Sequence, residues 1–148
     1  MIVPDVNLLL YAEIAAFPEH AKAKKWWEKA LGGSDEVGLP TPALFGFVRI
    51  ATNPRVFTPA LAVDAAIDVI EGWLARPNVR VLGPGPRHLE IAFRLLRGLG
   101  TAGNLTTDVQ LATYAIENAA TLCSNDSDFA RFASLAWKNP IGIPPRTV

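Results

Sequence analysis

The chain has little of the chemistry that disulfide frameworks and zinc sites require. Its 148 residues include one cysteine, Cys123, and two histidines, His20 and His88. A single thiol cannot form an internal disulfide, which fits a reducing compartment such as the cytoplasm. Structural zinc sites use four cysteine or histidine ligands, and these three residues are too few and too scattered. We therefore expect neither a disulfide framework nor a zinc centre.

The sequence also lacks an excess of positive charge and a long apolar run. Fourteen Lys and Arg residues balance fourteen Asp and Glu residues, so the formal net charge is zero. Proteins that hold nucleic acid mainly by counterion release are usually basic, so any nucleic-acid contact here needs a local patch or a bound metal. No apolar stretch approaches the roughly 20 residues of a membrane span, and the N-terminus lacks a signal-peptide pattern. These absences predict a cytoplasmic protein that is not bound to a membrane.

The hydrophobic pattern alternates between short strands and helices. Strands are predicted at residues 2–4, 37–39, 79–82 and 121–124, with a fifth at an edge at 135–137. Helices are predicted between them, at residues 6–15, 20–31, 42–52, 61–75, 86–99 and 107–118. This alternation indicates an α/β protein with a three-layer α/β/α domain and a mainly parallel sheet of four or five strands. We expect one domain at residues 1–140 and a loose C-terminal tail at 141–148.

Acidic residues occur where the predicted strands end or the following helices begin. Asp5 directly follows the first strand, Asp108 opens a late helix, and Asp126 and Asp128 follow the fourth strand. Ligands of parallel α/β sheets bind outside the carboxyl ends of the strands, so these distant acids can meet in one crevice. Gathered carboxylates repel one another unless a hard cation neutralises them, and oxygen ligands favour Mg²⁺ or Mn²⁺. The pattern predicts a metal-dependent enzyme that acts on phosphate esters.

Each of these acids also has a purely structural interpretation when it is taken alone. Asp5 could cap the first helix, Asp108 could be a first-turn acid favoured by the helix dipole, and Asp126 could cap a turn. Their joint placement favours a shared site over three separate structural roles. Neighbouring hydroxyl and amide side chains could orient the carboxylates or bound waters, and these are Asn7, Thr107, Ser124 and Asn125.

Two further patterns that could suggest nucleotide binding favour structural roles instead. Residues 98–103 match the G-x-G-x-x-G fingerprint, but that motif binds a pyrophosphate only after a strand and at the start of a helix. Here it follows the predicted helix 86–99, which indicates a loop at the end of that helix. The large aromatic residues are expected in the core or at subunit contacts and not as base-stacking platforms; they are Trp26, Trp27, Trp73, Phe45, Phe47 and Phe93.

Several segments together resemble the PIN-domain ribonucleases, and more narrowly the VapC toxins of bacterial toxin–antitoxin pairs. Residues 5–11 (DVNLLLY) resemble the opening Asp-x-Asn motif of that family. Residues 47–57 (FVRIATNPRVF) are similar to a segment common in mycobacterial members. Residues 107–112 (TDVQLA) and 124–129 (SNDSDF) resemble the two late motifs. The resemblance extends over residues 1 to 140.

The resemblance implies a Rossmann-like fold and hydrolysis of RNA, with tRNA or rRNA as the expected target. It implies that Asp5, Asp108 and Asp126 bind Mg²⁺ or Mn²⁺, and that Asp128 completes the catalytic set directly or through water. Asn7, Thr107 and Ser124 would support these acids. It also implies a homodimer and a cognate VapB-type antitoxin. The basic residues that could contact RNA phosphates, although a role as solvated charges is favoured for each, are Arg49, Arg87, Lys22, Lys25 and Lys29.

One position departs from the family pattern. PIN domains usually carry a second acid, commonly glutamate, in the helix just before the segment matched by residues 47–49, and this chain has Gly46 there. No acidic residue occurs between positions 36 and 64. The alternatives are therefore a working or weakened nuclease and a catalytically inactive module that binds an antitoxin or RNA. A phosphatase with Asp5 as nucleophile is disfavoured, because that chemistry usually needs a second acid at the place of Asn7.

Overall fold

The computed structural model describes residues 1–143 and shows a five-stranded sheet in which every pair of neighbours is parallel. The strands are β1 (Ile2–Pro4), β2 (Val37–Pro40), β3 (Val79–Leu82), β4 (Thr121–Cys123) and β5 (Ala136–Lys138). The helices are α1 (Val6–Glu13), α2 (His20–Leu31), α3 (Thr41–Ala51), α4 (Val63–Leu74), α5 (His88–Leu99) and α6 (Thr106–Glu117). Two short 3₁₀ turns lie at Gly103–Leu105 and Ser127–Arg131. The predicted α/β architecture is confirmed, and β5 lies at an edge of the sheet as predicted, with β3 at the other edge.

The strand order β3-β2-β1-β4-β5 places the first strand at the centre of the sheet. The chain leaves β1 for β2 on one side, while β4 pairs with β1 on the other, so the order reverses at β1. In open α/β sheets a crevice forms outside the carboxyl ends of the strands at such a reversal. The register pairs Pro4 with Cys123 and Cys123 with Lys138. The residues that follow β1 and β4 therefore emerge side by side.

An aromatic cluster fills much of the core. The rings of Trp27 and Trp73 meet edge to face with their centroids 5.5 Å apart, and Phe47 meets Trp73 at 5.0 Å. All three side chains are buried, which confirms their predicted core positions. Phe45 and Phe93 are not in the core, because 74% and 48% of their surfaces are exposed. Helical spacing predicts which positions share a face, but it does not show which face remains uncovered.

The glycine-rich segment after α5 ends that helix, as predicted. Gly100 has a φ of 70°, in the left-handed region that glycine adopts readily, and its amide donates to the carbonyl of Leu96 at 3.1 Å. The segment leads into a 3₁₀ turn and not out of a strand, so it lacks the setting of a dinucleotide-binding loop.

Packing continues slightly beyond the predicted domain boundary at residue 140. Ile141 is buried, and the side-chain carbonyl of Asn139 accepts hydrogen bonds from the amides of Ile141 and Gly142. Pro144 and Pro145 of the predicted tail lie outside the described residues, so the boundary stays a prediction. Within residues 1–143, none of the helices combines the length and the apolar character needed to cross a membrane.

Candidate metal centre at the carboxyl ends of the first and fourth strands

Asp5 lies at the point where β1 turns into α1. Its backbone is still extended, with φ of −74° and ψ of 152°, and its amide donates to the carbonyl of Cys123 at 2.8 Å. Its buried carboxylate makes no capping hydrogen bond to α1 and instead accepts one from the hydroxyl of Ser124 at 2.8 Å. Burial raises the pKa of Asp5 to about 6, while the Ser124 hydrogen bond acts in the opposite direction. Asp5 is thus tied to the neighbouring strand end through Ser124, and the backbone amides of Val6 and Asn7 at the start of α1 also lower its pKa.

The turn that follows β4 positions the next two acids. The amide of Asp126 donates to the Ser124 hydroxyl oxygen at 2.9 Å, and the amide of Asp128 donates to Asp126 Oδ1 at 2.9 Å. The interpretation of Asp126 as a turn cap is therefore confirmed, and its carboxylate still faces the other acids. Asp128 also lies 3.6 Å from the guanidinium of Arg131. Ser124 joins this turn to Asp5 because its hydroxyl donates to one and accepts from the other.

Asp108 enters the same region from the first turn of α6. One carboxylate oxygen of each of Asp108, Asp126 and Asp128 can be chosen so that all three lie within 4.8 Å of one another. The pKa of Asp108 is raised to about 7, chiefly by burial and then by the charges of Asp5, Asp126 and Asp128. The four acids therefore form one electrostatic cluster, here called the acidic cluster.

The geometry and chemistry of the acidic cluster fit a hard divalent cation. Oxygen ligands at about 2.1 to 2.6 Å from one ion lie at most roughly 4 to 5 Å apart, which the three late carboxylates satisfy. This set shares Asp108 and Asp126 with the ligand set predicted from the sequence, but it contains Asp128 where that prediction has Asp5. Asp5 lies beside the group, since its charge contributes to the raised pKa of Asp108.

A crevice with a volume of about 460 Å³ opens in front of the acids. Asn7 and Thr107 line it, and both are exposed; their predicted role in orienting the acids stays a prediction. Of the basic residues singled out from the sequence, Arg49 lines the crevice. Arg87 lies elsewhere, at the residue that precedes α5, where it pairs with Glu90 at 3.0 Å. The lysines of α2 do not line the crevice either.

One wall of the crevice is formed by α3. Its lining residues follow helical spacing and are Pro42, Phe45, Gly46, Arg49 and Ile50. Gly46 thus faces the crevice, at the position where the resemblance leads one to expect an acid. A Cβ atom at Gly46 would lie 3.1 Å from Cγ2 of Val6, so any side chain there requires a small shift of Val6. The absent acid leaves this wall without negative charge.

Sequence reasoning missed several residues that line the crevice, and it placed Asn125 in the wrong setting. Phe45 and Gln110 also line the crevice. The signal for Phe45 was its spacing of four residues from Arg49 on one helix. Asn125, expected to orient carboxylates or waters, is only 1% exposed and does not line the crevice. Neither polar atom of its side chain has a hydrogen-bond partner within the described part of the chain.

Comparison with known proteins identifies the class to which this fold and site belong. The family model described as PIN domain matches residues 2–135, and the chain belongs to that family. It is 55% identical over 141 residues to Ribonuclease VapC33 of Mycobacterium tuberculosis, covering 95% of this chain and 99% of that protein. It is 39% identical over 140 residues to Ribonuclease VapC37 of the same organism, with coverage of 95% and 97%.

The fold is also similar to that of a solved toxin–antitoxin protein. A chain of VapBC-1 from nontypeable Haemophilus influenzae superposes with a TM-score of 0.66 at 20% identity, covering 95% of this chain and 98% of that one. At that level of identity the likeness shows the fold alone.

Proposed function

We propose that this protein is the toxic endoribonuclease of a toxin–antitoxin pair and that it hydrolyses RNA phosphodiester bonds with Mg²⁺ or Mn²⁺. The observation that carries the proposal is the acidic cluster, in which three carboxylates come within 4.8 Å of one another beside the buried Asp5. The relatives named as ribonucleases supply the reaction class. The target would be a tRNA or an rRNA, and the reaction would take place in the cytoplasm.

The four acids have different proposed roles in binding the ion. Asp108 and Asp126 are the ligands that sequence and geometry both favour, and Asp5 and Asp128 complete the coordination directly or through water. A bound divalent cation stabilises the negative charge that develops on the phosphate oxygens. Ser124 keeps Asp5 oriented through its 2.8 Å hydrogen bond, and Thr107 and Asn7 flank the acids at the crevice. With its raised pKa of about 7, Asp108 must give up its remaining proton when the ion binds.

The proposal is tested with purified protein and total tRNA or rRNA in the presence of Mg²⁺, Mn²⁺ or a chelator. We expect discrete fragments only with a divalent ion, and none from the Asp108→Asn variant. Circular dichroism of that variant checks that its fold is retained. Full cleavage by a properly folded Asp108→Ala protein would show that the assignment is wrong.

The second candidate function is a module that binds RNA or an antitoxin and has lost most of its catalysis. The observation that favours it is Gly46, which lines the crevice where an acid is expected. Such a protein would bind RNA in a filter or anisotropy assay but would release no fragments at any divalent-ion concentration. The same samples therefore decide between the two candidates.

We propose that a VapB-type antitoxin inhibits the enzyme by covering the acidic cluster. A cationic side chain of the antitoxin, most effectively arginine, would pair with the carboxylates and compete with the ion. Co-expression with a candidate VapB-type antitoxin, followed by size-exclusion chromatography, should yield a complex that high Mg²⁺ weakens. Asp126→Lys should raise the Kd of that complex, because the new positive charge repels the cationic side chain of the antitoxin. A protein that ignores this partner and whose expression leaves growth unaffected would contradict the toxin assignment.

We also propose a homodimer, formed through the exposed apolar side of α5. The tryptophans first considered for subunit contact are occupied in the core or packed against it. In contrast, Leu89 and Phe93 are 63% and 48% exposed, and both line an apolar groove between α5 and α6. Light scattering should give twice the chain mass for the wild type and the monomer mass for Leu89→Arg. Arg94→Gln, a charge change at an exposed position about 100° around α5 from Phe93, is the matched control.

A further inference from the structure

We propose that α3 is the substrate-binding wall of the crevice, where Phe45 stacks on an unpaired nucleobase and Arg49 binds the adjacent phosphate. This inference rests on the proposed ribonuclease function and names the form of RNA that the site accepts. It assigns to Phe45 the stacking role that the sequence pattern alone disfavoured.

Phe45 is a mostly exposed aromatic residue that lines the crevice. Its exposed fraction of 74% is the largest among the large hydrophobic side chains of residues 1–143. Its neighbours on α3, Ala43 and Phe47, are fully buried, so the helix itself is firmly packed. The ring lines the same crevice as Asp5, Asp108 and Asp126. A ring held on a rigid helix beside the acidic cluster can stack on a base without losing much conformational freedom.

Arg49 is the cation of this wall, and within residues 1–143 its guanidinium has no hydrogen bond or ion pair. In this part of the chain Arg80, Arg87 and Arg131 pair with acids, whereas Arg49 shares its lack of an ion pair with Arg55, Arg76, Arg94 and Arg97. Arg49 differs from those four because it lines the crevice. Arg49 lines a crevice that contains three carboxylates and yet approaches none of them within 4.0 Å. Its donors therefore stay available for a phosphate, which a guanidinium can bind with two parallel hydrogen bonds.

The spacing on α3 suits one nucleotide unit. Residues four positions apart on a helix have Cβ atoms about 5–6 Å apart on the same face. Gly46 lies between Phe45 and Arg49 in the lining of the crevice and has no side chain to fill the space. A base against Phe45 and the phosphate next to it against Arg49 would thus lie along the wall opposite Asp108. The absence of an acid at position 46 removes the charge that would repel that phosphate.

The chemistry of this wall favours RNA with an unpaired base. In a duplex both faces of a base are already stacked, whereas loops and single strands can offer a free face to an aromatic ring. The wall is next to the proposed metal site. The base that stacks on Phe45 would therefore lie close to the phosphodiester that is hydrolysed. A docked protein would instead have to place an acidic group against Arg49 and basic groups against the carboxylates.

The experiment compares wild type with Phe45→Leu, Phe45→Tyr, Arg49→Gln and Arg49→Lys. The substrates are a fluorescent RNA hairpin with an unpaired loop and a fully paired RNA of the same composition. We measure kcat and KM for cleavage, and hairpin binding by anisotropy at several salt concentrations. The matched controls are Val63→Ala, an exposed apolar residue outside the crevice, and Arg94→Gln.

Phe45→Leu keeps the apolar surface but loses the aromatic face, so we expect it to raise KM and Kd for the hairpin by about tenfold or more, with a smaller effect on kcat. Phe45→Tyr should restore near wild-type values. Arg49→Gln should raise KM and reduce the slope of log Kd against log salt by about 0.7, the value for one phosphate on a single strand. Arg49→Lys should retain part of the binding. The paired RNA should bind more weakly and respond little to Phe45→Leu.

Each opposite result has a definite meaning. Wild-type cleavage with an unchanged KM in Phe45→Leu overturns the stacking role while leaving the ribonuclease function intact. An altered oligomeric state in both Phe45→Leu and Phe45→Tyr, with unchanged RNA binding, assigns the ring to a protein contact and overturns this inference. A wild-type protein that neither binds nor cleaves any RNA overturns the proposed function and this inference together.

Discussion

The hydroxyl of Ser124 donates a 2.8 Å hydrogen bond to Oδ2 of Asp5, across 119 positions of sequence. The bond joins the end of β4 to the end of β1, and Ser124 also accepts the amide of Asp126 at 2.9 Å. One small side chain thus connects the buried acid to the turn that carries the other two. Its removal should disturb the site more than the fold.

We expect Ser124→Ala to lower the cleavage rate by about 10- to 100-fold, because a hydrogen bond to a charged group contributes roughly 1.5–3 kcal/mol. The pKa of Asp5 should rise further once the bond that lowers it is lost. Ser124→Thr keeps the hydroxyl and is the matched control. The readouts are single-turnover cleavage and its pH profile. Equal activity of the alanine and threonine variants would remove Ser124 from the site.

Divalent ions should stabilise the folded protein. At a Mg²⁺ or Mn²⁺ concentration 100 times Kd, binding to the native state adds about 2.7 kcal/mol, which raises Tm by roughly 5–10 °C for a chain of this size. Asp126→Asn should lose most of this shift. Its metal-free Tm should not fall much, because relief of like-charge repulsion offsets the change. Scanning calorimetry with and without the ion measures both values. An equal Mg²⁺ shift in wild type and Asp126→Asn would place the ion elsewhere.

The metal-free protein should become less stable as the pH rises towards neutrality. The pKa of Asp5 is raised from 3.8 to about 6 and that of Asp108 from 3.8 to about 7. A carboxyl group with a raised folded-state pKa contributes stability that is complete below about pH 3.8 and is lost as the pH rises through 6 to 7. For the buried Asp5 the effect is at most about 3 kcal/mol.

The measurement is urea unfolding at pH 4.5 to 8 in a chelator, with Asp5→Asn as reference. The reference lacks the Asp5 titration, so its stability should fall less with pH. The stabilisation by Mg²⁺ should increase over the same interval, since the ion replaces the protons. A wild-type curve parallel to that of Asp5→Asn would show that the Asp5 carboxyl is not held protonated.

Gly46→Glu should tighten the binding of a divalent ion, because it adds an oxygen ligand to the wall that lacks one. Replacing a glycine inside a helix favours folding by up to ~1 kcal/mol, but the new Cβ must displace Val6 from its 3.1 Å approach. Gly46→Ala has the same Cβ and no carboxylate, so the difference between the two variants isolates the ligand. Titration calorimetry gives the metal affinity. Identical affinities in both variants would show that position 46 does not reach the ion.

The carboxylates of the site were accessible to sequence reasoning because their positions follow from chain order. Asp5 directly follows β1, Asp126 follows β4 after two residues, and Asp108 lies in the first turn of the helix before β4. The carboxyl ends of parallel strands share one edge of the sheet, so these acids are expected near one another. The distances were not accessible, since they depend on loop geometry. The sequence prediction therefore placed Asp5 among the metal ligands, whereas in the structure Asp128 forms the close group with Asp108 and Asp126.

The side of a helix that stays uncovered was harder to predict. Phe45 and Phe47 are two positions apart on α3, and one is mostly exposed while the other is fully buried. Both residues are phenylalanine, so their hydrophobicity does not show which one is buried. Only the packing of α3 against its neighbours decides which ring enters the core, and that packing depends on contacts between residues far apart in sequence. The role proposed for Phe45 therefore required the structure.

The central place of β1 has a consequence for the synthesis of the protein in the cell. The ribosome makes β1 and Asp5 before all six helices, whereas β4 and the acids that follow it are made after those helices. Contacts this distant in sequence form late, when the partner segment is available. Until then Asp5 has no Ser124 to hold it, and a partly translated chain contains no complete acidic cluster. The proposed nuclease site would therefore be assembled only once the last quarter of the domain has been translated.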